Sequence, residues 1–181
     1  MRKMGIIKKP LSVKPFCAVL FRKEENLNLS LSFLIDIFGS IDIKSEIFPF
    51  DFTDYYSKEM GENLKRIFVS FENLLLPDDC AQWKIHTNDI EKKLSLRNNS
   101  SRTVNIDPGY VELSKVVLLT TKNFSHRIYL DKGIYAEVTL IWSSGRFNSL
   151  AWTYPDYKTE PALNFFSRIR EKLKTGSTLD S

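Results

Sequence analysis

The longest unbroken apolar run in the chain is Phe16-Cys17-Ala18-Val19-Leu20-Phe21. Successive side chains of a strand point to opposite faces, and here both faces are apolar, as expected of a strand covered on both sides. The run is far too short to span a bilayer. With 43% hydrophobic and 27% charged residues among 181, the composition is that of a globular chain and suits one domain.

Around this strand the pattern alternates between strand and helix. Leu27 to Phe38 fits both periods, but its length and the following Gly39 favour a helix. Ile41 to Phe52 reads as a strand kinked at Pro49, and Lys65 to Phe71 as the next, with Ile67, Val69 and Phe71 opposite Phe68. Pro77, Asp78 and Asp79 suit a helix start, and Cys80, Trp83, Thr87, Ile90 and Leu94 form its inward stripe. A loop at Asn98-Asn99-Ser100-Ser101 and a short strand from Arg102 to Ile106 follow. The order strand, helix, strand, strand, helix, strand is that of a ferredoxin-like half. Asp107-Pro108-Gly109-Tyr110 reads as a type II turn, and Val111 to Thr121 as strand or helix. A hairpin from Arg127 to Trp142, a further strand from Phe147 to Trp152 and a helix beginning at Thr159-Glu160-Pro161 complete the chain. The last helix carries the stripe Ala162, Phe166, Ile169 and Leu173.

The hairpin tip at Asp131-Lys132-Gly133 allows two registers. A two-residue loop would pair Ile128 with Glu137 and Arg127 with Val138, mixing charged with apolar partners. A three-residue loop with Gly133 in a left-handed bulge pairs Ile128 with Ala136, Leu130 with Ile134 and His126 with Val138, an apolar face continuing to Leu140 and Trp142. It also pairs Tyr129 with Tyr135 and Arg127 with Glu137, and is the register expected.

Charge is unevenly spread. Arg2, Lys3, Lys8, Lys9 and Lys14 stand among the first fourteen residues with no acid, so the rest of the chain sums to −1 against +4 overall. The basic excess belongs to an N-terminal arm, which weakens any case for nucleic acid. No cleavable leader opens the chain, so Cys17 and Cys80 are expected to be reduced thiols in the cytoplasm. The expected organisation is a basic arm at 1–13, one domain at 14–173 and a loose tail at 174–181.

Six segments in fixed order carry a resemblance: Phe48-Pro-Phe-Asp-Phe-Thr-Asp-Tyr-Tyr56, Lys65-Arg-Ile-Phe-Val-Ser-Phe-Glu72, Asp107-Pro-Gly-Tyr110, Thr121-Lys-Asn-Phe-Ser-His-Arg-Ile-Tyr-Leu130, Gly133-Ile-Tyr-Ala-Glu-Val-Thr-Leu140 and Trp152-Thr-Tyr-Pro-Asp-Tyr157. With them the chain, from about Val13 to Leu173, resembles a bacterial family catalogued as domain of unknown function 4416. The resemblance implies a single domain and a helical Leu27 to Phe38, and it implies no activity. None of the seven glycines stands in a G-x-x-x-x-G-K-[ST] arrangement that would cradle phosphates.

All seven tyrosines fall within these segments, accompanied by Asp51, Asp54, Asp107, Glu137 and Asp156. A tyrosine joins an apolar ring to a hydrogen-bonding tip and suits a small polar ligand, although packing over sheet edges with the hydroxyls capping loops is the commoner role of such tyrosines. The expected ligand set is Lys122, Arg127, Tyr129, Tyr135, Glu137, Tyr55, Tyr110, Tyr154 and Asp156. His126, beside Lys122 and Arg127, would serve acid–base chemistry with Asp54 or Asp107, against the simpler reading of a histidine satisfied by a carboxylate. Asp51, Asp54 and Glu59 suggest Mg2+, yet Asp54 also fits the N-cap of a short helix through Met60. His86, His126 and the two cysteines lack zinc spacing.

The fold expected is α+β: a ferredoxin-like βαββαβ half extended by an antiparallel hairpin sheet and closed by a C-terminal helix, with a modified barrel as the alternative. The function expected is a cytoplasmic binding protein for a small polar or anionic ligand, with no cofactor and no membrane. The alternatives are a hydrolase or transferase using His126 with an aspartate and Mg2+, and a module docking through a sheet edge.

Overall fold

The computed structural model describes residues 5–97 and 102–176. They form a mixed α+β fold of nine antiparallel strands in one sheet and four α-helices. The strands are β1 (Lys14–Phe21), β2 (Ile41–Lys44), β3 (Phe48–Pro49), β4 (Lys65–Phe71), β5 (Val104–Val111), β6 (Lys115–Thr120), β7 (Ile128–Asp131), β8 (Ile134–Ser143) and β9 (Arg146–Ser149). The helices are α1 (Glu24–Phe38), α2 (Ser57–Met60), α3 (Cys80–Arg97) and α4 (Glu160–Gly176), with single 3-10 turns at Pro77–Asp79 and Pro155–Lys158. The sheet runs β2-β4-β1-β5-β6-β8-β7, with β3 beside β4 and β9 beside β8. The loop expected at Asn98–Ser101 and the end of the tail, 177–181, lie outside the described residues, as do Arg2 and Lys3 of the arm.

All eight residues of β1 are buried, because each face of the strand meets a different core. Cys17, Val19 and Phe21 pack with α1 and α3 through Leu34, Phe38, Trp83, Ile90 and Leu94. Phe16 and Ala18 meet α4 through Phe165, Phe166 and Ile169. Phe166 is the hub of the second core, edge-on to Phe16 at 5.0 Å and stacked on Tyr157 at 5.8 Å. Burying a side chain of this size is worth about 2–3 kcal/mol, so the α4 stripe alone accounts for its docking. Lys14 does not belong to the arm. It opens β1, is 1% exposed, and pairs with Asp42.

Asp107-Pro108-Gly109-Tyr110 is not a turn. It lies inside β5, with Cys17 opposite Pro108 and Phe16 opposite Gly109. Glycine is needed there by packing: a Cβ at Gly109 would fall 2.2 Å from the Val117 carbonyl oxygen and 2.6 Å from the Phe16 ring. The ladder from β5 to β6 covers only Gly109, Tyr110 and Val111, so residues 104–108 pair with β1 alone. Pro108, with no N–H to donate, sits where the two strands part. In that gap the Ile106 N–H donates to Glu91 Oε1 at 2.6 Å, and its carbonyl accepts from Lys84 Nζ at 2.8 Å. Two side chains seven residues apart on α3 thus supply the partners that a neighbouring strand would have given.

The segment Ile41 to Phe52 is two short strands, not one kinked strand. β2 and β3 each pair with β4, and Ser45 bridges them by its N–H to the Phe68 carbonyl. Val111 to Thr121 resolves into a turn and the strand β6, and β9 ends at Ser149, short of Trp152. The hairpin register pairs Ile128 with Ala136 and Tyr129 with Tyr135 as expected, but through a different tip. Lys132 (φ 52°) and Gly133 (φ 79°) form a two-residue loop, and a bulge at Leu130 absorbs the extra residue, pairing Asp131 rather than Leu130 with Ile134.

The continuous apolar hairpin face does not form. A second bulge, at Thr139 opposite the Val116–Val117 step, reverses the alternation of β8. Ile134 and Ala136 therefore face α1 and α3, whereas Leu140 and Trp142 face α4. β7 is an edge strand, exposed at every residue, with Ile128 73% exposed. No helix among the described residues is long and apolar enough to cross a membrane.

Candidate functional site

Beyond the end of the α4 core, a cavity of about 540 Å³ opens where β5 and β6 separate. Arg66 of β4 and Asn105 and Asp107 of β5 form its floor, sharing the alternation that points Phe68 and Val111 toward α4. Lys84 and Asn88 come from α3, and Thr120, Thr121 and Lys122 from the end of β6. Phe50, Phe52, Tyr55 and Tyr56 of the segment before α2 form one wall, and Tyr154 to Tyr157 the opposite one. Tyr56 packs edge-on to Phe50 and to Tyr55, making that wall largely aromatic.

The floor is a compact charge cluster. Lys84 Nζ donates to Asp107 Oδ1 at 3.1 Å, and the Asn105 amide donates to Asp107 Oδ2. Arg66 lies 3.0 Å from Asp156 Oδ2 and 3.9 Å from Asp107 Oδ2, with its guanidinium 4.9 Å from the Phe50 ring centre. Burial works against ionisation of Asp107, but Lys84 and Arg66 outweigh it and hold the carboxyl below its usual range. For Asp156 burial prevails over Arg66, and neighbouring Asp107 adds to it, so the carboxyl is raised.

Arg66 is 3% exposed, yet its Nε and Nη1 have no hydrogen-bond partner among the described residues. Nε is close to Asp156 in distance, but the N–H is not aligned with the carboxylate. Five buried side-chain polar atoms among the described residues lack a hydrogen-bond partner. Four of them, Arg66 Nε and Nη1, Asp156 Oδ2 and the Tyr157 hydroxyl, belong to residues lining this cavity. Leaving such groups unpaired costs about 1–3 kcal/mol each, so their concentration at one place calls for an explanation.

Of the residues singled out from sequence, Asp107, Lys122, Tyr55, Tyr154 and Asp156 line the cavity. Arg127 stands behind the rim and positions it. Its guanidinium donates to the Tyr154 hydroxyl at 2.9 Å, to the Lys122 carbonyl at 3.0 Å and to buried Glu137 at 2.7 Å. His126 is not on an apolar face opposite Val138. It sits 3.1 Å from Glu137 Oε2 and stacks on Trp152, so it meets neither Asp54 nor Asp107. Glu137 is held by His126, Arg127 and the Thr139 hydroxyl. Tyr129 and Tyr135 pair with each other on the edge hairpin, and Tyr110 packs against Trp83 on the other side of the sheet. Asp54 is exposed and does not cap α2. Its carbonyl, not its carboxylate, accepts from Ser57.

Sequence reasoning overlooked Arg66, Lys84, Arg102 and Asn105. The signal for Arg66 is its parity with Phe68 in the strand Lys65–Phe71. Lys84 and Glu91 each stand one residue beyond the buried positions Trp83 and Ile90. Arg102 donates to Glu91 through Nε and Nη2 and lies 3.9 Å from Glu59. Among the described residues no group of three or more His, Cys, Asp or Glu side chains is arranged to hold a metal ion.

No curated protein and no solved structure matches the chain. A family model does, and it covers residues 11–173, taking in every strand and the cavity. The chain belongs to the family described as Domain of unknown function (DUF4416).

Proposed function

We propose that the chain is a binding protein for a small polar or anionic molecule held in the cavity between Arg66, Asp107, Asp156 and the Tyr55–Tyr56 wall. The observation that carries this reading is the gathering of buried donors and acceptors without hydrogen-bond partners on residues that line one cavity. A bound molecule would satisfy them, and aromatic walls with a few convergent polar groups are the usual makeup of such sites. The hydrolase or transferase alternative has less support, since it needs His126 beside an aspartate of the site. The βαββαβ description of the first half belongs to this proposal too, supported by the adjacency β2-β4-β1-β5. A cytoplasmic setting is in keeping with two buried, unbridged cysteines.

The test is native mass spectrometry of the protein as purified, together with melting curves across a panel of small polar metabolites. A retained mass, or a panel member that stabilises by about 2–3 kcal/mol at a hundredfold excess over its Kd, is the expected result. Both effects should vanish in Thr121→Trp, which blocks the mouth from an exposed lining position. Neither a retained mass nor stabilisation, or binding unaffected by that blockade, would overturn the proposal.

A further inference from the structure

The charges around the cavity are matched unevenly. At the buried end Arg66 faces Asp156 and Asp107, and Lys84 faces Asp107, so two cations meet two carboxylates. Arg102 is taken by Glu91 and Glu59, and Arg127 behind the rim by Glu137. Lys122 is different. Its ammonium lies 4.5 Å from the Tyr55 ring centre and 3.4 Å from the Tyr55 hydroxyl, and among the described residues no carboxylate comes within ion-pairing distance. It is exposed, at the mouth.

From this distribution we infer that the ligand has two unlike ends: a neutral group carrying both a hydrogen-bond donor and an acceptor at the floor, and an anionic group at the mouth on Lys122. The inference rests on the cavity being the binding site. A carboxylate driven to the floor would meet Asp107 and Asp156 in a site shielded from water, and a cation would meet Arg66 and Lys84. A primary amide or similar group avoids both conflicts. Its carbonyl accepts from Arg66, and its N–H donates to Asp156, an ion pair whose Nε, Nη1 and Oδ2 lie side by side without hydrogen-bond partners. Between the ends, Phe50, Phe52, Tyr55 and Tyr56 present ring surfaces suited to a flat middle section. The ligand class is therefore a flat organic anion bearing an amide-like head. Lys122 selects its charge, and Arg66 with Asp156 reads its head.

Three probes of one shape separate the possibilities in titrations of the full chain followed by calorimetry or NMR. They are 4-carbamoylbenzoate with one end of each kind, terephthalate with two carboxylates, and terephthalamide with two amides. 4-Carbamoylbenzoate is expected to bind at least tenfold more tightly than terephthalate. Lys122→Gln, an exposed substitution, should weaken 4-carbamoylbenzoate about five- to tenfold and leave terephthalamide unchanged. Terephthalate binding as tightly as 4-carbamoylbenzoate would overturn the two-ended assignment, as would equal losses for charged and neutral probes in Lys122→Gln. If no probe binds while native mass spectrometry shows a retained molecule, the assignment fails and the cavity reading stands. If neither is seen, both fail.

Discussion

Replacing Gly109 by alanine tests whether this residue is a strand position crowded from both sides. The backbone at Gly109 is not left-handed, so alanine brings no conformational strain of its own. The added methyl would lie 2.2 Å from the Val117 carbonyl oxygen and 2.6–2.7 Å from the Phe16 ring. The ring is 0% exposed within the second core, and the carbonyl belongs to the neighbouring strand, so neither can swing aside as a flexible side chain would. Overpacking ordinarily costs about 1–3 kcal/mol, and an obstacle made of backbone puts Gly109→Ala at or above about 3 kcal/mol. For a chain of this size that is a fall in Tm of about 6–12 °C. Gly133→Ala is the contrast: it meets nothing within 4 Å and pays only for φ 79°, about 1–2 kcal/mol. Urea denaturation of both variants reads the difference directly. Equal losses, or a milder loss at Gly109, would refute the packing argument and restore the turn.

Asp42 should govern part of the acid limb of stability. Burial opposes its charge, but Lys14, Lys172 and Ser70 overcome that and bring the carboxyl from 3.8 to about 2. A lowered carboxyl stabilises above its unfolded value, and that benefit is lost as pH falls through the folded one. The advantage of the parent over Asp42→Asn should therefore shrink by about 2 kcal/mol between pH 5 and pH 2 in denaturation curves, and a constant difference would contradict this. Arg127→Ala should cost about 3 kcal/mol in the same assay, because it leaves fully buried Glu137 with only His126 and Thr139. His126→Ala removes the weaker partner and should cost clearly less; equal losses would mean that Glu137 does not depend on Arg127.

The parts of the fold that were readable from sequence are those where apolar periodicity is long and each face meets one environment. β1 was plain because no residue in it escapes burial, and α3 because Cys80, Trp83, Thr87, Ile90 and Leu94 all turn inward. Asp107–Tyr110 misled because proline and glycine signal turns locally, while the reason for Gly109 is a phenylalanine ninety-three residues earlier. The hairpin shows another limit. Alternation told which residues share a face, but not that a bulge at Thr139 would redirect β8 or that β7 would lie at an edge. Residue type pointed to Lys122, Tyr55, Tyr154, Asp107 and Asp156, all of which line the cavity. It missed Arg66 because a cation next to Lys65 at the start of a strand reads as a surface residue unless its parity with Phe68 is followed.

Lys84 serves two masters. One proton of its ammonium holds the Ile106 carbonyl and another the Asp107 carboxylate, so a single side chain contributes both to fastening α3 to the sheet, beside Glu91, and to the charge balance of the floor, beside Arg66. Evolution cannot retune the one without disturbing the other. A descendant that loses this lysine leaves both the Ile106 carbonyl and the Asp107 carboxylate short of a donor.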